Sequence, residues 1–452
     1  MFIVKRKGLV SILVFISCIA FVCSYSYISS NAMSQKGENL KKTVERGIIY
    51  DRNKKELATN MSTSTIWSKL GHLSNSTKVH DESKEPLKVT LTIDENIQNF
   101  TEKAIDNALA KTESKRAMAI VMDPKTGDIL AMSVKSRADL NNPVEPIVGE
   151  EKDKLYNEIW TNPMIRDTYE PGSTFKLITA AACLEEGIVS PNSTFTCNGF
   201  SVVEDEKINC WRHYRPHGEQ SFTEGVQNSC NPIFIEIGQK LGKEKYYKYL
   251  DSFGFTSTTD IDLAQDRKSF IQDKNIISPI EFANMSYGQG ISVTPLQLIS
   301  AISAIGNDGK LMKPRIVKEL VDSKGNIINK YEPNMVRQVI SKETAKELGD
   351  IMESVVSHGS GNKAYIPGYR VGGKTGTANK LIDGKYVEGK TYSSFVSLAP
   401  VNDPKLGVLV VIDEPQGFKF GSLTAAPAVK EIMQNTLAYL GVKKQSEKLG
   451  VQ

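Results

Sequence analysis

The sequence predicts an α+β fold, a largely antiparallel sheet with a helical layer packed against it, set behind a single N-terminal membrane-spanning helix. Three observations predict it. Strand-like stretches fall toward both ends of the main body with helix-like stretches between them, which is the pattern of an α+β domain. An uncharged apolar run over residues 9–28 follows Lys5, Arg6 and Lys7 and is long enough to cross a bilayer as one helix. The 452 residues leave room for a sizeable core, and no internal repeat suggests an array. The net charge of +4 is small for this length and no dense Lys/Arg cluster occurs, so the sequence does not read as a nucleic-acid binder.

Along the chain, residues 1–7 read as a cytoplasmic tail, 8–28 as the anchor, 29–86 as a polar stalk and 87–445 as the globular domain. Basic residues ahead of the apolar run favour a cytoplasmic N-terminus and an extracytoplasmic remainder. A cleaved signal peptide ending near Ser30-Asn31-Ala32 is the alternative. Within the stalk, Arg46-Gly47-Ile48-Ile49-Tyr50-Asp51-Arg52-Asn53 reads as a short strand ending in a turn. Residues 88–93 alternate as a strand, and Asp94 is placed to cap a helix through Ala110. Residues 118–122 and 128–132 flank Asp123-Pro124-Lys125-Thr126-Gly127, a hairpin with Pro and Gly in its turn. Residues 175–186 read as a helix closed by Gly187. Residues 222–241, 243–253 and 294–305 read as helices, 371–378, 393–398 and 406–412 as strands, and 426–440 as the last helix.

Three short motifs carry chemistry. Pro171-Gly172-Ser173-Thr174-Phe175-Lys176 places a serine at a helix start, where backbone N–H groups and the helix dipole are at hand. Lys176, one turn on, shares the face of Ser173. A neutral lysine amine beside a serine hydroxyl can take its proton, and burial plus a second cation lowers a lysine toward that state. Alone, the spacing also suits a capping serine with a solvated lysine. In Ser229-Cys230-Asn231 the outer two side chains point the same way on an extended segment, Ser229 to relay a proton to a leaving amine and Asn231 to hold a substrate amide. The alternative is a run of polar turn residues. In Gly372-Gly373-Lys374-Thr375-Gly376-Thr377 the glycines let a substrate backbone approach a strand edge. Lys374 supplies positive charge for a terminal carboxylate and a reason for Lys176 to be neutral. Thr375 and Thr377 offer hydroxyls, and the N–H groups of Thr377 and Ser173 would form an oxyanion hole. Gly368, Gly373, Lys374 and Thr375 also match a phosphate-binding loop, but Pro367 ahead and aperiodic sequence behind do not fit the strand–loop–helix context that loop requires.

The order Ser-x-x-Lys, Ser-x-Asn, Lys-Thr-Gly resembles the penicillin-recognising serine acyltransferases, which include penicillin-binding proteins and serine β-lactamases. Tyr169-Glu170 ahead of the first motif, Tyr287-Gly288-Gln289-Gly290 through Thr294-Pro295-Leu296-Gln297, and the Arg46–Asn53 string look like class B penicillin-binding proteins, and are closest to the sporulation and division types. The resemblance covers nearly all of residues 87–442. It implies the transpeptidase/β-lactamase-like fold for 87–445, and a peptidoglycan D,D-transpeptidase that needs no cofactor for its chemistry. Its site would be Ser173, Lys176, Ser229, Asn231 and Lys374, with Thr375, Gly376 and Thr377 binding substrate. The implied partners are stem peptides, β-lactams, the cell membrane and a polytopic glycosyltransferase. The interval before the domain is too short for the pedestal that class B proteins usually carry, so 29–86 would hold only a remnant of it. A β-lactamase, or a non-catalytic penicillin-binding sensor or scaffold, is the alternative.

Cys197, Cys210, His213, His217 and Cys230 fall between the first two motifs. Three thiols and one imidazole suit a tetrahedral structural zinc site. His213 has ligand-like spacing from Cys210, and His217 is the other candidate, standing before Gly218 as in a His-Gly pair of the family. A Cys197–Cys210 disulfide or plain buried thiols are the alternatives.

Overall fold

The structure, a computed structural model, describes residues 48–58, 88–136, 161–263, 265–382 and 384–445. The expected anchor and most of the expected stalk lie outside these residues. No helix among the described residues is long and apolar enough to cross a membrane.

The chain enters through β1 (Ile49–Tyr50), β2 (Glu56–Ala58) and β3 (Lys88–Leu91). Helix α1 (Glu95–Thr112) and the hairpin of β4 (Arg116–Met122) and β5 (Ile129–Ser136) follow. A 3-10 turn at Gly172–Thr174 leads into α2 (Lys176–Glu185). Then come α3 (Phe222–Gln227), α4 (Asn231–Leu241), α5 (Pro295–Ile305), β6 (Val317–Val321), β7 (Ile327–Lys330) and α6 (Lys342–Ser357). The chain closes with β8 (Gly372–Ile382), β9 (Lys385–Ala399), β10 (Leu406–Asp413) and α7 (Ala426–Tyr439).

The central sheet has the order β8-β9-β10-β4-β5, with every neighbouring pair antiparallel. Side chains alternate across it. Ala117, Ala119 and Val121 turn to one face with Val408, Val410 and Ile412, and pack on Ile97 and Ile105 of α1 and on Val429 and Ile432 of α7. Met118, Ile120, Leu409 and Val411 turn to the other face, against Leu177 of α2 and Ile299 and Ile302 of α5. Helices therefore cover both faces, where the sequence suggested one layer. The reason is visible in β4 and β10, which are buried and apolar at nearly every position and have no polar face to leave in water. Helix α5 is buried along its whole length and forms the spine of the second layer.

One long helix expected over residues 222–241 is broken in two. Ser229 takes a left-handed backbone at φ 54°, and Pro232 opens the first turn of α4, where its missing N–H costs nothing. Helix α1 follows its reading closely: the Asp94 side chain accepts from the N–H groups of Asn96 and Ile97 and caps it. Helix α6 was not anticipated.

Residues 48–58, read as stalk, belong to a second sheet of order β7-β6-β3-β1-β2, in which β1 runs parallel to β3. Ile49 is fully buried there. The turn after β1 is organised by Asp51, buried itself, whose carboxylate accepts from the backbone of Asn53 and Lys55, both at 2.8 Å, and of Glu95 at 3.4 Å. The Asn53 amide reaches Asp94 at 3.0 Å. This segment is thus tied to the start of α1, and through it to the central sheet. Asp51→Ala leaves these donors unmatched, and the expected outcome in urea denaturation is a loss of about 2–4 kcal/mol.

Candidate active site

The cleft forms where the Gly172–Thr174 turn, the break between α3 and α4, and the edge strand β8 meet. Ser173 is half-buried on the turn, three residues before α2, which buries its residues from Lys176 to Leu184. Lys176 is fully buried. Its Nζ donates to the Ser229 carbonyl at 2.7 Å, to Asn231 Oδ1 at 2.6 Å and to Ser229 Oγ at 3.2 Å. It also lies 5.2 Å from the centre of the Phe234 ring and 5.9 Å from that of Tyr287. The structure thus gathers Lys176, Ser229 and Asn231 into one cluster. It does so without the extended segment the sequence reading assumed: Ser229 is left-handed, Cys230 caps α4 and Asn231 begins it.

None of the three acceptors is a carboxylate. With no ion pair to hold its proton, the Lys176 amine is governed by loss of water, which lowers it to about 7. Once neutral it has a lone pair, and its contact with Ser229 Oγ can then run the other way, hydroxyl to amine. Lys374 is also fully buried and is pushed well below the ordinary lysine value, by burial first and by the Lys176 charge second. Its Nζ lies 3.4 Å from both the carbonyl and the hydroxyl of Thr375. The site thus holds two buried lysine amines, both lowered chiefly by loss of water.

Strand β8 borders only β9, and its other edge lies against the segment that carries Ser173. The approach is close. A Cβ on Gly172, whose φ is +55°, would meet the Thr377 carbonyl oxygen at 2.6 Å, and one on Gly376 would meet the Pro171 carbonyl at 2.6 Å. Only glycine fits at both positions. Thr377 Oγ1 accepts from the N–H of Gly421 at 3.3 Å, which holds the strand from the far side.

Behind Ser229 lies the thiol cluster. Ligand atoms of Cys197, Cys210, His217 and Cys230 all fall within 4.8 Å of one another. The three cysteines are buried, and all four described cysteines are free, so the Cys197–Cys210 disulfide is absent. Cys210 Sγ lies 3.7 Å from His217 Nδ1, and His217 Nε2 is buried without a partner. A hydrogen bond from Cys230 pulls the Cys210 thiol down toward thiolate. His213 is outside the cluster, exposed, with Nδ1 near the Cys210 carbonyl. The four gathered groups fit zinc in donor type and number.

The motifs did not point to Phe234 or Tyr287 as walls around Lys176. Nor did they point to Tyr386, whose hydroxyl donates to Glu170 at 2.9 Å. Tyr287 lies in a string that carries the family resemblance but with no role attached to it, and no local pattern marks Phe234 or Tyr386, because each reaches the cleft from a separate element.

Residues 117–434 match the family model of the penicillin binding protein transpeptidase domain. Stage V sporulation protein D of Bacillus subtilis is 43% identical over 370 residues, which is 81% of this chain and 56% of that protein. A peptidoglycan D,D-transpeptidase FtsI homologue of Mesostigma viride is 31% identical over 379 residues, 78% of this chain and 62% of that protein. The chain thus spans less than two thirds of the length of these curated relatives. Among solved structures, the transpeptidase domain of penicillin-binding protein 3 from Burkholderia pseudomallei is 30% identical with a TM-score of 0.67, covering 78% of this chain and 97% of that one. Penicillin-binding protein 3 from Mycobacterium tuberculosis, complexed with aztreonam, is 25% identical with a TM-score of 0.77, covering 89% and 97%.

The surroundings of Lys176 predict its titration directly. In protein with isotope-labelled lysine side chains, NMR is expected to find two lysines that titrate well below the ordinary value, and the one lost in Lys176→Met to lose its proton near pH 7; if every lysine titrates near 10, the site does not hold a neutral amine.

Proposed function

The chain belongs to the penicillin-binding protein transpeptidase family, and from that premise we propose that it is a membrane-anchored peptidoglycan D,D-transpeptidase, acylated on Ser173 and blocked by β-lactams. The observation that carries this reading is the buried Lys176 amine, lowered to about 7 and held by Ser229 and Asn231 one turn from Ser173.

In the proposed reaction a stem peptide ending in D-Ala-D-Ala lies along the free edge of β8 as an added strand. Its carboxylate meets Lys374, Thr375 and Thr377, with Gly376 keeping the strand close. Neutral Lys176 takes the Ser173 proton, and Oγ attacks the penultimate carbonyl carbon. The oxyanion is met by the N–H groups of Ser173 and Thr377. When the peptide C–N bond breaks, the departing D-alanine nitrogen takes a proton through Ser229 from Lys176. The amine of a second stem peptide then attacks the ester, gives up a proton by the same route, and Ser173 leaves with its hydroxyl restored. Binding of the carboxylate holds Lys374 charged, and that charge in turn disfavours protonation of Lys176. A β-lactam supplies the same carbonyl and carboxylate but keeps its leaving nitrogen tethered, so the acyl-enzyme persists.

The apolar run of residues 9–28 supports anchoring in the cell membrane, with the domain outside the cytoplasm. An anchored transpeptidase needs nascent strands supplied beside it, which supports a polytopic glycosyltransferase as partner. Stage V sporulation protein D among the relatives supports a sporulation role. Cys197, Cys210, Cys230 and His217 would hold a structural zinc ion, whose bonds would brace the backbone at Ser229 and Asn231.

Two outcomes check the reading. Ser173→Ala is expected to abolish labelling by a fluorescent penicillin, while the wild-type acylation rate rises with pH through about 7, since only the unprotonated Lys176 amine can accept the serine proton. Persistent label in the variant, or a rate that falls over that range, overturns the assignment. Elemental analysis is expected to find about one zinc per chain, and Cys210→Ser to lose the metal and a large part of the acylation rate; protein purified without metal that acylates at full rate argues for plain buried thiols.

A further inference from the structure

Glu170 is a buried carboxyl that no step above uses. It stands three residues before Ser173 and is 7% exposed. One oxygen, Oε1, accepts two hydrogen bonds, from the Tyr386 hydroxyl at 2.9 Å and from the Gly290 N–H at 3.1 Å. The other, Oε2, is buried with no hydrogen-bond partner. No lysine or arginine pairs with it among the ion pairs of the described residues. A carboxyl taken out of water with no cation is costly unless the contacts it makes are needed.

Those contacts join three separate elements. Glu170 belongs to the nucleophile segment. That segment is already stitched to the 288–293 loop by backbone bonds between Tyr169 and Val293 and from Gly172 to Gly288. Gly290 is in the same loop. Tyr386 comes from the far end of the β8–β9 hairpin, where it stands opposite Leu381. Near its base this hairpin is held at Gly376 and Thr377 by close packing on Pro171 and Gly172. The Tyr386 bond pins it again toward its far end, level with Leu381 and four residues beyond Thr377 along β8. Lys380, ion-paired to Asp413 and Glu414, ties the middle of β8 to β10 and its end; the Tyr386 bond adds a tie beyond it, at the end of the ribbon, which narrows the ribbon's tilt and with it where the Thr377 N–H lies relative to Ser173.

We propose that Glu170 and Tyr386 form a latch that holds the β8–β9 hairpin against the nucleophile segment and so positions the oxyanion contact at Thr377. Both are positioning residues, since neither touches the reacting atoms. The proposal rests on the acyl-enzyme reading for its effect on rate, but the latch itself is a property of the free protein.

The test uses the full chain in two arms. The first is hydrogen exchange of the free protein: Tyr386→Phe is expected to speed exchange across the β8–β9 hairpin and leave α1 and α7 unchanged. Unchanged hairpin exchange overturns the latch whatever the chemistry of the site. The second is stopped-flow acylation by a fluorescent penicillin. Tyr386→Phe and Glu170→Ala are each expected to lower the acylation step about tenfold with binding little changed. Glu170→Gln, which keeps an acceptor oxygen, is expected to restore most of the rate, and the Tyr386→Phe/Glu170→Ala double variant to be no slower than Glu170→Ala alone. Additive losses, or a Tyr386→Phe rate equal to wild type, overturn the proposal. Tyr386 is half-exposed and its ring is retained in the Phe variant, so folding is not at stake. If wild-type protein takes no penicillin, the acyl-enzyme reading fails, and the exchange arm still decides the latch.

Discussion

The site depends on one constraint: the Lys176 amine is removed from water and given neutral partners only. In water a lysine is protonated and useless as a base; in a salt bridge it would be held so. Here the Ser229 carbonyl and hydroxyl and the Asn231 amide satisfy its hydrogens without stabilising its charge. Lys374 is a second buried amine, pushed down by its own burial and by the charge of Lys176. Much of the fold follows from this need. A fully buried lysine requires walls on every side, and these come from α2, from Phe234 on α4 and from Tyr287. The break between α3 and α4 then has a purpose: an unbroken helix would turn its carbonyls into its own ladder, and none would be left for the amine.

The sheet answers a second need, which is rigidity at an edge that must stay open. Strand β8 has a partner on one side only, and its register with β9 is continuous from Gly372 to Asn379. Behind β9 stand three further strands, filled on both faces by side chains from α1, α5 and α7. The free edge is therefore backed by strands packed on both faces, while glycines at 172 and 376 allow the turn that carries Ser173 to come within van der Waals reach of it.

What could be read from the sequence follows from where each signal resides. Asp94 as a cap, the hairpin around Asp123–Gly127 and the last helix are local features, set by residues close in sequence. The three motifs were legible because each is contiguous, and their order carried a family resemblance. The Ser229–Asn231 geometry was misread because alternation of side chains was assumed, whereas the residue at 229 is left-handed and the one at 231 starts a helix. The choice between His213 and His217 was open because both spacings suit a metal; only the path of the chain brings 217 to the thiols. Residues 48–58 read as stalk because the strand that ties them to the domain, near 89, is distant in sequence and is itself held by another near 320.

The open edge of β8 also bears on solubility. Two copies offering the same unpaired strand can zip together edge to edge, a route from a folded sheet to insoluble aggregate. The end of the hairpin carries Lys380, Lys385, Glu388 and Lys390, with Lys385, Glu388 and Lys390 exposed. Charged gatekeepers of this kind repel a second copy along the edge yet leave its inner half free to receive a short peptide. Neutralising the exposed Lys385, Glu388 and Lys390 would show in self-association rather than in folding, whereas Lys380 is held by buried Asp413 and by Glu414 and belongs to the fold.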